Sequence, residues 1–358
     1  MTGMKRDNWP ALLHHLVDGG DLTADDTEWA MGQIMSGNAT SAQIAGFAVG
    51  LHAKGETAAE LTGLATGMLA HANRVTIPRR AVDIVGTGGD RSGSVNISTM
   101  TAIVTAASGV PVVKHGNRSA SSKAGAADVL EVLGVAIALD SAAVEECVRE
   151  LGIGFCFASL YHPALRHAGP TRSELGIPTA FNVLGPLTNP AQPEAGLVGC
   201  AFSRLAPTVA EVFAGRDASV LVVRGDDGLD ELTTSTTSSA WVVSNGEVRQ
   251  EQVDPSALGL PPATQEDLRG GDAAHNGEVV RRLVGGELGP VRDAVLLNAA
   301  GAIAAYRGFS GDLTSDLGAG LQQAAQAIDS GAAASLLSRW ADLSTALAAQ
   351  KTLNGATS

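Results

Sequence analysis

Cysteine is scarce in this chain of 358 residues: there are three, Cys147, Cys156 and Cys200. The count is odd, the spacing is wide and no Cys-x-x-Cys occurs, which argues against a disulfide framework and a cysteine-ligated zinc site. Buried, reduced thiols and a cytoplasmic location are the expectation. There is no run of Lys and Arg, and the formal net charge is −13. Such a surface repels nucleic acid and anionic membrane, so any anionic ligand must be met by a local site. No apolar run reaches the roughly 18 residues a transmembrane helix needs. Lys5 and Arg6 precede an apolar stretch broken by His14 and His15, which is no secretory signal. Internal repeats and low-complexity tracts are absent.

What is present reads as a globular protein, with 45% hydrophobic and 17% charged residues and a length that suits two domains. Residues 1–75 read as helical. One helix is expected over Trp9–Val17. A second is announced by Thr23-x-x-Asp26 and ends near Gly37. A third starts at Thr40 or Ser41, sets Ile44, Phe47, Ala48 and Leu51 on one face and ends at Gly55. A fourth opens with Thr57-x-x-Glu60 and aligns Leu61, Leu64 and Met68. Four short amphipathic helices make a small bundle with an apolar face left for a partner, so dimerisation is expected.

From Ala81 the rhythm changes. Strands are predicted at Ala81–Val85, Val110–Val113, Val135–Leu139, Ile153–Phe157, Ala195–Phe202 and Ser219–Val223, with helices over 98–108, 123–134 and 141–151. Such alternation means an α/β domain with a mainly parallel sheet. Thr236–Ser244 and Glu247–Val253 flank Asn245-Gly246, a hairpin signal. The chain from about Asn276 is mostly helical. Residues 169–193 carry Pro170, Pro178, Pro186, Pro190 and Pro193 and cannot be one helix. They are expected to cross back toward the helical domain and form a wall of a cleft. The division is thus 1–75 as a helical domain, joined by about 164–191, with 76–163 and 192–358 as the α/β domain.

Six motifs carry chemistry. Gly86-Thr87-Gly88-Gly89-Asp90 follows a strand, where glycines let several backbone N–H groups converge on an anion. Ser94, Asn96, Ser98 and Thr99 follow where a helix should begin; Ser98 either caps that helix or meets a phosphate there, and both can hold. Lys114-His115-Gly116-Asn117-Arg118 sets basic charge at a second strand end. Ser119-Ala120-Ser121-Ser122-Lys123 adds hydroxyls before another helix. These four describe a pocket for a ligand with several phosphates. Asp227-Gly228-Leu229-Asp230-Glu231 places two adjacent carboxylates beside a turn, a Mg²⁺ site if both face one ligand from a loop, or sites for two ions. In the Pro-rich stretch, Arg172 has the planar fork that clamps a carboxylate.

In this order, GTGGD, N-x-S-T, KHGNR, ADVLEVLG, PTR-x-ELG, FN-x-LGPL-x-NP and GLDE resemble the anthranilate phosphoribosyltransferase family over nearly the whole chain. The resemblance implies a nucleoside-phosphorylase type of fold and a homodimer formed through the helical domain. It implies transfer of a phosphoribosyl group from 5-phosphoribosyl-1-pyrophosphate to the amine of anthranilate, with Mg²⁺, in tryptophan biosynthesis. Gly86, Gly89, Asp90, Ser94, Asn96, Ser98, Thr99, Lys114, Asn117, Ser119, Ala120, Ser121, Ser122 and Ala126 would bind phosphoribosyl pyrophosphate. Ser98, Asp230 and Glu231 would bind Mg²⁺. Gly86, Asn117 and Arg172 would meet anthranilate, with His115 and Tyr161 close by. Three positions depart from the family pattern or vary within it: Ala126 stands where Ser is common, Arg224 where His is common, and Leu232 follows the carboxylate pair. No residue is assigned as acid or base, because an aromatic amine is already neutral at pH 7.

Two rival readings remain at this level. A pyrimidine nucleoside phosphorylase of the same fold would need no Mg²⁺; the Asp230-Glu231 pair and the KHGNR form argue against it. A non-catalytic relative that binds nucleic acid would need a basic groove, against a net charge of −13.

Overall fold

The computed structural model describes residues 7–77, 79–119 and 123–355, the last five by backbone alone. Four helices open the chain: α1 (Trp9–Val17), α2 (Ala24–Met35), α3 (Ser41–Lys54) and α4 (Ala58–Leu69). Each starts on a side-chain cap. Asn8 caps α1, and Thr23–Asp26, Thr40–Gln43 and Thr57–Glu60 form reciprocal capping boxes on α2, α3 and α4. A cap of this kind contributes about 1 kcal/mol. The inward faces, with Leu12, Ile34, Phe47, Leu51, Leu61 and Leu64, are fully buried. Glu60 is also buried, but each of its oxygens is answered. Oε1 accepts from the Leu22 N–H at 2.8 Å, and Oε2 from the Thr57 N–H at 2.8 Å and the Lys54 ammonium at 3.0 Å.

The remainder is β1 (Val82–Gly86), α5 (Ile97–Ala107), β2 (Val112–Gly116), α6 (Ala126–Val132), α7 (Ser141–Leu151), β3 (Ile153–Phe157), α8 (Ala158–Tyr161), α9 (Gly169–Leu175), α10 (Leu184–Leu187), β4 (Ala195–Gly199), α11 (Ala206–Ala214), β5 (Ser219–Gly225), β6 (Ser238–Ser244) and β7 (Glu247–Val253), then α12 (Ala273–Val284), α13 (Pro290–Arg307), α14 (Leu313–Asp329) and α15 (Ala332–Gly355). The seven strands form one sheet in the order β3-β2-β1-β4-β5-β6-β7. The first five are parallel, and β6 and β7 add an antiparallel edge. The strand side chains alternate. Ile84, Leu197 and Leu221 enter a core shared with α5 and α13, while Val85, Val198 and Val222 enter one shared with α11 and the bundle. The parallel strands are therefore buried on both faces, which explains why they read as continuous apolar runs, while the edge strand β7 is polar and largely exposed.

Register aligns the carboxyl ends. Gly86 pairs with Gly199, Gly199 with Val223, and Gly116 with Phe157. The strand order reverses at β1, whose neighbours are β2 and β4. In parallel sheets ligands bind in the crevice at such a reversal, beyond the carboxyl ends.

Two expectations need correcting. Val135–Leu139 is not a strand: Val135, Ile137 and Leu139 are buried, yet the segment has no strand to pair with, and the Ala136 N–H donates to Ser344 Oγ instead. The second strand runs to Gly116, so Lys114 and His115 lie within it, paired with Phe155 and Cys156, and not beyond its end. The Pro-rich stretch breaks into short helices, as its composition demands. Ala168, Phe181, Leu184 and Leu187 pack into the same core as the bundle.

Candidate active site

The loop after β1 leaves the ordinary backbone regions. Gly88 and Gly89 have φ of +68° and +87°, and Arg91 is left-handed at +59°. A left-handed residue with a Cβ costs roughly 1–2 kcal/mol, which Gly escapes. The turn aims the Gly88 N–H at Asp230 Oδ2, 2.6 Å away. Gly86 is required by proximity: a Cβ there would lie 2.3 Å from the same oxygen. Beside the loop is a cavity of about 240 Å³, whose lining includes Asp90, Arg91, Ser94, Gly228 and Ser235.

At the start of α5, Asn96 occupies the cap position but its side chain does not cap the helix. It donates to the Ala124 carbonyl at 3.2 Å and accepts from Asn276 of α12 at 2.7 Å. The first turn therefore keeps N–H groups for an acidic partner, and one of them, on Ser98, meets the Glu231 carboxylate. Thr99 Oγ1 is buried without a partner among the described residues. Asn96 thus links the start of α5 to the segment that follows β2 and to α12.

Lys114 is 2% exposed and its ammonium donates to the Ile84 carbonyl. Burial lowers its pKa, while Asp83, Glu231 and Asp230 pull it back up. The carboxyl group of Asp230 is pushed up to about 7, first by burial and then by Asp90. Glu231 lies well above the usual carboxylate range, by burial and by Asp230 beside it. The one Lys114 ammonium thus answers Asp83, Glu231 and Asp230 together, while Asp90 adds to the repulsion on the last two; Asp83 Oδ1 also accepts from the His115 N–H at 3.0 Å. Unbalanced buried negative charge is costly, and a cation relieves it. Among the described residues no group of three or more His, Cys, Asp or Glu forms a complete metal cage. The adjacent Asp230 and Glu231 carboxylates supply oxygen ligands of the kind a hard divalent ion takes, with its other ligands to come from outside the chain.

The remaining expected residues divide. Asn117 Oδ1 accepts from the Arg118 N–H at 2.8 Å and Ser159 Oγ at 3.1 Å. Arg118 is not free for a phosphate: Asp128 and Glu131 hold its guanidinium at 2.6 Å. Ser119 reaches the same Asp128 through its N–H. Ala120, Ser121 and Ser122 lie outside the described residues. Ala126 begins α6, close against Gly116. His115 Nδ1 contacts the Gly185 carbonyl at 3.0 Å, so Nδ1 carries the proton and Nε2 is a buried lone pair. Burial and His162, whose ring centroid is 5.2 Å away, hold its pKa down at about 3. Tyr161 is buried in the core of the α/β domain and its hydroxyl donates to the Leu139 carbonyl. Arg172, on α9, lies over the Phe181 ring at 5.4 Å, and no ion pair holds it among the described residues. Arg224 spends its guanidinium on the Ala201 and Gly225 carbonyls.

Asn276, Ser159 and Gly199 contact site residues, and Asn298 holds Leu232 next to the carboxylate pair; none of the four was anticipated. The available signal was a polar residue in an apolar helix, as in Leu296-Leu297-Asn298-Ala299-Ala300.

The fold and this charge-rich crevice define a glycosyl transferase of two parts. Residues 10–72 match the helical bundle domain of the glycosyl transferase family and residues 78–334 its a/b domain. Within that class the chain belongs to the anthranilate phosphoribosyltransferase family. It is 64% identical to the anthranilate phosphoribosyltransferase of Saccharopolyspora erythraea, over 96% of this chain and 98% of that one. It is 62% identical to that of Rhodococcus jostii, over 96% and 95%. Among solved structures, the enzyme from Thermus thermophilus superposes with a TM-score of 0.87 at 38% identity, covering 93% of this chain and 99% of that one. The Saccharomyces cerevisiae enzyme in complex with PRPP and Mg gives 0.86 at 25% identity, over 96% and 99%. Among the described residues no helix is long and apolar enough to cross a membrane.

Proposed function

We propose that this chain transfers the 5-phosphoribosyl group of 5-phosphoribosyl-1-pyrophosphate to the amine of anthranilate, releasing pyrophosphate. The observation that carries the reading is the pair of desolvated carboxyls, Asp230 and Glu231, with Asp90 beside them, at the open N-terminus of α5 and the strand-order reversal. Such a site accepts a polyphosphate together with its cation and neither alone. Gly86, Gly89, Asp90, Ser94, Asn96, Ser98 and Thr99 form the phosphate pocket, completed by Lys114, Asn117, the segment 119–122 and Ala126. Ser98, Asp230 and Glu231 hold Mg²⁺, which when bound neutralises charge on the departing pyrophosphate.

In the reaction the ribose C1–oxygen bond breaks and its electron pair leaves with pyrophosphate. The amine nitrogen bonds to C1, and the proton it then loses passes to water or to the released pyrophosphate. The glycine-loop N–H groups and the first turn of α5 are fixed before the reaction and favour the charge that grows on the leaving group. Arg172 orients the anthranilate carboxylate, with Gly86 and Asn117 beside the ring and His115 and Tyr161 behind them. His115, kept neutral, carries no proton to the leaving group at pH 7. The work is positioning and electrostatics. The reading also includes a homodimer through the helical domain, a division at residues 1–75 with 164–191 against the rest, and a cytoplasmic location.

The test is direct. Purified protein is mixed with anthranilate, phosphoribosyl pyrophosphate and Mg²⁺, and anthranilate fluorescence is followed. Loss should require all three components and stop on addition of EDTA. No loss at high protein concentration contradicts the proposal.

A further inference from the structure

Asn298 lies on α13 and is fully buried. Its carboxamide is devoted to a residue of another element. Oδ1 accepts from the Leu232 N–H at 2.9 Å, and Nδ2 donates to the Leu232 carbonyl at 2.8 Å. Nδ2 also donates to the Ala294 carbonyl one turn back, at 2.9 Å. These partners fix which end of the amide is oxygen, since an N–H needs Oδ1 and two carbonyls need Nδ2. The side chain therefore grips both polar groups of Leu232, as a neighbouring strand would.

Leu232 directly follows Glu231. One turn along α13, Gly301 admits the Leu232 side chain: a Cβ there would stand 3.2 Å from its Cδ1. From the other side the segment rests on Gly199, where a Cβ would come within 1.6 Å of the Asp230 carbonyl oxygen. The backbone that bears both carboxylates is thus held between β4 and α13, and its only side-chain anchor on α13 that hydrogen-bonds is Asn298 among the described residues.

We infer that Asn298 is the positioning residue for the Asp230–Glu231 carboxylate pair. It reaches neither carboxylate. It fixes the peptide from which they project, so that both meet one ion without rearranging. The inference rests on the reading of that pair as the Mg²⁺ ligands. Groups that hydrogen-bond a metal ligand directly are worth about 10–100-fold in metal affinity, and Asn298 acts one residue further back, through the Leu232 peptide groups.

The experiment uses the full chain and Mn²⁺ as the probe. Mn²⁺ is titrated in the presence of phosphoribosyl pyrophosphate, and free Mn²⁺ is read by electron paramagnetic resonance. Parent, Asn298→Ala and Glu231→Gln are compared, with circular dichroism as the check on folding. Asn298→Ala should weaken Mn²⁺ binding about 10–100-fold and raise the Mg²⁺ midpoint of the rate by the same factor. The anthranilate KM at saturating Mg²⁺ should stay within about twofold, a split that general loosening of the fold does not produce. A folded Asn298→Ala with parental Mn²⁺ affinity, when Glu231→Gln abolishes binding, overturns the inference. Unchanged binding in Glu231→Gln overturns instead the metal reading beneath it. Should Asn298→Ala fail to fold, Asn298→Ser, which removes less volume and keeps a hydroxyl, is read with the same two outcomes.

Discussion

Two of the places where the molecule buries acidic side chains treat them in opposite ways. In the helical bundle, Glu60 is closed inside a complete set of donors: two backbone N–H groups and the Lys54 ammonium. At the carboxyl ends of the central strands, Asp230 and Glu231 are packed beside Asp90 with the buried Lys114 ammonium near them, and their carboxyls rise far above the usual range. Both arrangements remove carboxylates from water, which is costly unless they are paired. The bundle completes the pairing from its own chain. The crevice leaves it incomplete, and the missing part is a cation with its phosphates. A buried charge that is fully answered serves the fold, and one left unanswered marks where a ligand belongs.

Substitutions sharpen that contrast. Glu231→Gln should lower kcat/KM by about a hundredfold or more, since it removes a ligand for the charge on the leaving group. Its melting temperature should equal or exceed that of the parent, because a buried repulsion has gone. A melting temperature that falls together with activity would make Glu231 a structural residue like Glu60. The reverse substitution in the bundle, Glu60→Ala, should cost about 3 kcal/mol of stability. It should leave kcat per folded molecule unchanged, as denaturant melts and steady-state rates would show. Arg172→Ala should raise the anthranilate KM about 10–100-fold, the value of a lost charge-assisted pair. The KM for phosphoribosyl pyrophosphate should hold; equal rises in both would place Arg172 outside the acceptor site.

Acidity gives a smaller and graded effect. Asp230 is raised from 3.8 to about 7 in the metal-free chain. Its contribution to the stability of that chain is therefore present at low pH and is lost as pH rises through about 7. Metal and proton compete for the same oxygens, so metal affinity moves the other way. Apparent Mn²⁺ affinity should fall about tenfold per unit as pH drops below about 7, for one proton displaced. A flat profile between pH 8 and 6 would mean that Asp230 does not ligate.

Much of this contrast was legible along the chain, for a physical reason. Caps and capping boxes are local, so Thr23, Thr40 and Thr57 announced their helices before any packing was known. Strand and helix periods placed the glycine loop and the carboxylate pair at the ends of apolar strands. Pairing across distance was not legible. Val135–Leu139 has the pattern of a strand and lacks only a neighbour. Arg118 looked available to a phosphate until Asp128 and Glu131, a turn apart on α6, closed on it. The Tyr161 hydroxyl faces Leu139, 22 residues back. Asn276 and Asn298 reach the site from helices far along the sequence, where spacing cannot reveal what they touch.

The most direct measurement sets the two acidic centres side by side. Single-turnover conversion of anthranilate, with saturating phosphoribosyl pyrophosphate and Mg²⁺, is recorded for Glu231→Gln and Glu60→Ala at a temperature where both are folded. The account predicts that Glu60→Ala turns over at the parental rate and Glu231→Gln at about a hundredth of it or less. Equal rates in the two variants, or a larger loss in Glu60→Ala, would contradict it.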